Sequence, residues 1–198
     1  MKKITFPGFL LLIYLLAFIW SAIKPVTMDV WIVEALTSLV PVILLWILYV
    51  KNIRFSNLAY FMMLFFPVMH IVGAHYTFSE VPFDWFNNLF GFERNMYDRV
   101  AHFSVGFYSL GVAEVLYAKN LVKNKFVAWS YALFLIMAVA AGYELFEWQY
   151  AVMSDPEAGI AVLGSQGDIW DAQKDMLMDT LGGVLGVILF YFTGKRKE

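Results

Sequence analysis

The chain has no cysteine, so no disulfide can staple its loops, even on a face where an oxidising compartment would permit one. Charge is scarce. Only 15% of the 198 residues are charged, against 61% hydrophobic, which excludes an ordinary soluble domain. No concentrated basic surface exists, which argues against nucleic-acid binding. No internal repeat, low-complexity tract or long linker divides residues 1–198, so they read as one integral-membrane domain. Common membrane-enzyme signatures are missing too. There is neither an H-E-x-x-H zinc-protease motif nor the E-x-x-H pair of di-iron bundles.

What is present is apolar and long. Six stretches approach the length that crosses ~30 Å of hydrocarbon, at roughly 9–23, 30–50, 58–74, 97–118, 126–150 and 176–192. The first follows Lys2 and Lys3 as a signal peptide would, but Trp20 stands where a cleavage site wants a small residue. It reads as a retained helix. The expected fold is therefore all-α, a polytopic bundle of six transmembrane helices. With both termini cytoplasmic, the inner segments hold Lys2, Lys3, Lys51, Arg54, Lys119, Lys123, Lys125, Lys195, Arg196 and Lys197, and the outer ones only Lys24, Arg94, Arg99 and Lys174. Of the 16 acidic residues, only Glu114 and Glu198 then fall towards the cytoplasmic side. Glu114 can snorkel there towards Lys119.

The other acids, with the histidines, gather at the outer end. Ionisable groups in or beside spanning helices are expensive, so they raise a functional hypothesis by default. His70 and His75 close the third span, and an aromatic outer loop with Trp85, Phe86 and Phe90 follows, suited to the lipid–water boundary. Asp98 and His102, four apart, share one face of the fourth span and can chelate an ion or fix a tautomer. Glu144 and Glu147 lie at the outer end of the fifth, where the helix dipole disfavours anions by roughly 0.3–1 kcal/mol each. Asp171, Asp175 and Asp179 repeat every four residues into the sixth. Asp179 lies about 12 Å beyond Asp171, too deep to be a helix-capping charge. Gly182 and Gly186 extend that stripe as a surface for close packing inside the bundle. Glu34 can join the rim. Such a cup of carboxylates needs shared protons or a neutralising cation.

The set His75-Tyr76, Arg94-Asn95-x-Tyr97-Asp98-Arg99-x-x-His102-Phe103, Tyr143-Glu144-x-x-Glu147-Trp148 and Gln166-Gly167-Asp168-x-Trp170-Asp171-x-Gln173-x-Asp175 resembles the YjdF-like family of bacterial inner-membrane proteins over roughly residues 50–192. That resemblance implies membership and an inner-membrane location, the family being a domain of unknown function. A looser likeness is to VanZ-like membrane proteins, which share an Asp-x-x-x-His helix, a later Glu-containing helix and a final Asp-x-x-x-Asp helix followed by glycines. Here Glu147 and Trp148 stand where that pattern has a nearby Gln, and its intervening Arg is missing. That likeness bears on fold and cell-envelope context only.

The residues themselves suggest a metal-dependent hydrolase or group transferase acting on a lipid or lipid-linked envelope molecule at the outer face. Asp98, His102, Glu144 and Asp175 are the expected ligands of a divalent ion (zinc, manganese or magnesium). Glu147 or Asp171 is the expected general base, and His75 a proton donor or further ligand. Asp168, Asp179, Gln166, Tyr76 and Arg99 complete the candidate site. Two rivals stand beside this reading: a proton- or cation-coupled transporter or lipid binder, and a purely structural metal clasp. Oligomeric state has no signature in the sequence.

Overall fold

Every backbone amide in a bilayer must find a partner within its own segment, so apolar runs of this length can only be helices. In the computed structural model, which describes residues 4–193, they are. The terminal residues Lys2, Lys3, Lys195, Arg196, Lys197 and Glu198, used above for orientation, lie outside that range. Helix α1 spans Phe6–Ser21, α2 Met28–Val50 and α3 Asn57–Tyr76. After a short 3₁₀ turn, Phe78–Glu80, come α4 (Asp84–Phe90), α5 (Tyr97–Val105), α6 (Tyr108–Ala118), α7 (Lys125–Met153), α8 (Pro156–Leu163) and α9 (Asp171–Thr193). Among the described residues, five stretches are long and apolar enough to cross a membrane: α2, α3, α5 with α6, α7 and α9. Helix α1, with 16 residues, is about 24 Å long and falls short of the hydrocarbon thickness. The protein is a polytopic, all-helical membrane protein with five such spans and a shorter sixth apolar helix.

Two elements depart from the expected string. The fourth span breaks at Gly106-Phe107, where the amides of Phe107 and Ser109 turn to carbonyls three residues back. The segment 154–170, which the sequence alone places as a loop between the fifth and sixth spans, contains α8. Its signals are all local: Asp155 caps the Ala158 amide at 3.0 Å, Pro156 occupies the first turn, and Gly164 ends the helix at φ 59°.

Packing divides the bundle into two groups joined along α3. Helices α1 and α2 lie against α3, while α5, α6 and α7 surround α9. A polar chain ties the first group: Tyr14 Oη and Ser38 Oγ are 3.0 Å apart, and Ser38 Oγ donates to the Pro67 carbonyl at 3.0 Å. In the second group the glycine stripe brings backbones together, as small residues do in membranes. A Cβ on Gly182 would run into the Phe103 carbonyl, and one on Gly186 into Ser109. Gly106 fits against Gly182 and Gly183 in return, and Ser109 Oγ donates to the Gly183 carbonyl at 2.8 Å. The stripe thus packs within the chain, as expected.

Glu114 behaves otherwise than expected. It is 2% exposed and accepts from the Ser56 amide at 2.9 Å, at the N-terminus of α3, rather than snorkelling towards Lys119. The positive end of a helix dipole takes the place of a lysine. Among the described residues, helices α2 and α7 meet at a Tyr143–Glu34 hydrogen bond and share no extensive interface.

Candidate functional site

The antiparallel order of the spans carries the acids of α5, α7 and α9 to one end of the bundle, where two sets separate by their partners. The first is held by arginine. Arg99, 3% exposed on the first turn of α5, points across to α9. Its Nη2 donates to Asp171 Oδ1 at 2.5 Å and reaches Asp168 Oδ2 at 3.4 Å, while Nη1 meets Asp175 Oδ1. Arg94 adds a second guanidinium, with Nη1 2.8 Å from Asp171 Oδ1, and Lys174 Nζ lies 2.6 Å from Asp168 Oδ2. Three cations thus meet three carboxylates. The sequence reading left these acids to protons or a metal, whereas the guanidiniums supply much of the compensation. Lys174 and the Trp170 amide, which donates to Asp168 Oδ1 at 3.1 Å, hold the Asp168 carboxyl below its ordinary range.

Gln166 belongs to the same clasp. Its Oε1 accepts from the Asn95 amide at 2.9 Å and its Nε2 donates to the Asn95 carbonyl at 3.0 Å. Asn95 in turn donates to the carbonyls of Ser79 at 3.0 Å and Val81 at 2.7 Å. Together they fix the α8–α9 connection over the start of α5.

The second set lies deeper and contains no lysine or arginine. His102 Nδ1 faces Asp179 Oδ2 at 3.2 Å, and Nε2 faces Asp98 Oδ1 at 3.7 Å and Asp175 Oδ1 at 3.9 Å. One donor atom each from Asp98, His102 and Asp175 falls within 4.8 Å of the others, and all three residues are buried. In the singly protonated imidazole, a proton on Nδ1 satisfies Asp179 and leaves the Nε2 lone pair towards Asp98 and Asp175. A metal-binding histidine is oriented by a carboxylate in this way. Glu144 is within electrostatic reach of His102, Asp98, Asp175 and Asp179, but it is not one of the three converging donors. Its Oε1 is buried without a hydrogen-bond partner, as is Asp179 Oδ1. Glu147, 8% exposed, lies near His102, Glu144 and Asp98.

Asp98, His102, Asp179 and Glu147 line a cavity of about 470 Å³ whose walls are otherwise mostly apolar, with Phe66, Phe78, Val105 and Ile136 among them, whereas Asp175 and Glu144 lie outside its lining. On its far side His70 Nε2 lies 2.8 Å from Glu34 Oε2, to which the Tyr143 hydroxyl also donates at 3.3 Å. Glu34 is therefore a buried partner at 1% exposure and not a rim residue. A second apolar cavity, about 230 Å³ between α1, α2 and α3, is lined by no acid or histidine.

Two of the expected site residues go elsewhere. His75 Nδ1 lies 2.9 Å from the Ser21 carbonyl and its ring stacks on Trp20 at 4.5 Å, with Tyr76 beside both. His75 and Tyr76 fasten α1 to α3 and do not reach the acids. His70, five residues earlier, is about 140° round the helix and faces the cavity instead. Asp171 accepts from two guanidiniums through one oxygen, which counts against its expected part as general base. The sequence reading missed the pairing of Glu34 with His70 and the bracing by Arg94 and Asn95. The Arg94-Asn95 motif was visible as a string, but nothing in its spacing named its partners.

No solved structure matches the chain. It is 30% identical over 160 residues to the Inner membrane protein YjdF of Escherichia coli (strain K12), a match covering 80% of this chain and 76% of that protein. Residues 6–196 match the family described as Predicted membrane protein (DUF2238). The chain therefore belongs to the DUF2238 family of membrane proteins.

Proposed function

We propose that the protein is a metal-dependent enzyme of the bacterial inner membrane that hydrolyses, or transfers a group to or from, a lipid or lipid-linked envelope molecule. In this reading the acidic end faces outward and both termini face the cytoplasm. The observation that carries it is the convergence of Asp98, His102 and Asp175 within 4.8 Å, with His102 braced by Asp179, beside a largely apolar cavity that Asp98, His102 and Asp179 line. Two carboxylates and an imidazole suit manganese or zinc, and hold magnesium less well. Such an ion would polarise a phosphoryl or carbonyl oxygen and lower the pKa of a bound water. Among the chain's own groups, Glu147 is placed to take a proton beside His102 and Asp98. Tyr143 can present its hydroxyl to the bound molecule, held by Glu34. Arg99 positions Asp175, and its guanidinium competes with an ion for that carboxylate.

The test is metal content by mass spectrometry on protein purified without chelators, beside Asp98→Asn/His102→Gln. A stoichiometric divalent ion in the wild type, lost in the double variant, supports the reading. Turnover of a membrane-lipid extract by the metal-loaded wild type alone completes it. Metal-free wild type would sink it and return the site to a proton-coupled or lipid-binding role.

A further inference from the structure

The cavity lies where the bundle is not closed. Helix α2 contributes Val40 and Leu44 to one lip and helix α7 Val139 and Phe146 to the other, and these two helices, joined by the Tyr143–Glu34 hydrogen bond, share no extensive interface. The lips are 66%, 53%, 50% and 44% exposed, respectively, at membrane depth, so what they meet is hydrocarbon. A gap of this kind admits an apolar chain from the side while keeping water out.

The floor selects what the chain can carry. Asp98 and Asp179 form part of it and Glu147 stands in the wall, whereas Arg94, Arg99 and Lys174 are turned to Asp168, Asp171 and Asp175 and contribute no lining atom. Asp179 Oδ1, 1% exposed as a residue, has no hydrogen-bond partner, and across the cavity Glu34 Oε1 behind His70 has none either. Unpaired buried acceptors call for donors. Anionic end groups meet like charge.

We propose that the cavity binds a single long-chain amphiphile that enters between α2 and α7 and ends in a hydrogen-bond donor, a hydroxyl or an ammonium, placed against Asp98, His102 and Asp179. This goes beyond the lipid-enzyme reading above and concerns the cavity without its ion, because a divalent ion on Asp98, His102 and Asp175 would repel an ammonium and attract an anionic end group. The ring faces of Phe66, Phe78 and Tyr143 near that end add a cation–π contribution for an ammonium.

The test uses the full chain in lipid nanodiscs and three radiolabelled probes of equal chain length: dodecylamine, dodecanol and dodecanoate. The amine and the alcohol should bind saturably, and dodecanoate at least about tenfold more weakly, since like-charge placement costs several kcal/mol. Val40→Trp and Val139→Trp, at exposed lip positions where folding tolerates bulk, should each weaken the amine and alcohol. Equal binding of dodecanoate, or unchanged binding in both lip variants, overturns the proposal. Repeating the amine measurement in Asp98→Asn/His102→Gln and with EDTA separates the two readings. Probe binding by the wild type with no metal bound keeps the amphiphile site and removes the metal. Metal bound by the wild type, with no probe binding once EDTA has removed it, removes the amphiphile site alone.

Discussion

The acids at the two levels of the same site answer the cost of burial in opposite ways. Asp168, Asp171 and Asp175 are matched by Arg94, Arg99 and Lys174, with Arg99 reaching from α5 to α9, Arg94 from just before α5, and Lys174 along its own segment. Asp98, Asp179, Glu144 and Glu147 gather round one imidazole, and all but Glu144 face a cavity. Acids with fixed cations are finished as interactions and hold helices together. Acids without them are incomplete, and an incomplete buried acid needs something that arrives from outside, whether proton, ion or ligand donor. Asp175 belongs to both levels and couples them.

The largest effect should come from removing the shared cation. Arg99→Met leaves Asp175 without a guanidinium and Asp171 with Arg94 alone, and should destabilise by about 3–5 kcal/mol, read as thermal unfolding in detergent. An unchanged melting temperature would erase the distinction between the levels. Next, a divalent ion at about one hundred times its Kd should stabilise the wild type by about 2.7 kcal/mol, with no such gain in Asp98→Asn/His102→Gln. If the double variant gains as much, the ion sits elsewhere.

Gly182→Ala tests the spacing of the helices that carry both levels. Its Cβ meets the Phe103 carbonyl, and the forced separation of α5 from α9 should cost about 1–3 kcal/mol. Glu144→Gln, by contrast, should shift stability by less than about 0.5 kcal/mol while abolishing turnover. Unfolding in that variant would move Glu144 to the structural level. The smallest effect is a pH dependence. The Asp168 carboxyl is depressed by Lys174 and the Trp170 amide, so its contribution is complete above its ordinary value of 3.8 and lost as pH falls through the lowered one. Limited proteolysis of the 154–170 segment should therefore accelerate only below about pH 4, and Asp168→Asn should be cut faster than wild type above that range.

Much of this was legible beforehand. The apolar runs located all six hydrophobic helices to within a few residues, because a bilayer leaves the backbone no alternative. The convergence of the acids followed from helix order alone, and Asp98 with His102 from a four-residue spacing. Spacing says nothing about partners on other helices. Arg99 stands among the candidate site residues with no partner that spacing could name, and Glu34 found His70 across 36 positions of sequence. His75 was misread because proximity to a helix end was allowed to stand for direction around it. Helix α8 was missed although Asp155, Pro156 and Gly164 spelled its boundaries, because glycine and serine beyond it drew the whole segment into a loop.

The fastening of α1 also bears on how the chain is made. A helix too short to cross the bilayer cannot hold itself at full depth by hydrophobicity alone. Its grip comes from His75, whose ring lies 2.9 Å from the Ser21 carbonyl and whose own carbonyl accepts from the Val26 amide at 2.9 Å. Both contacts wait for a residue synthesised about fifty positions later. Helix α1 is thus fully seated only after α3 is made, and a chain interrupted before α3 would hold it by its contacts with α2 alone, Tyr14 with Ser38 and Trp31 with Ser21.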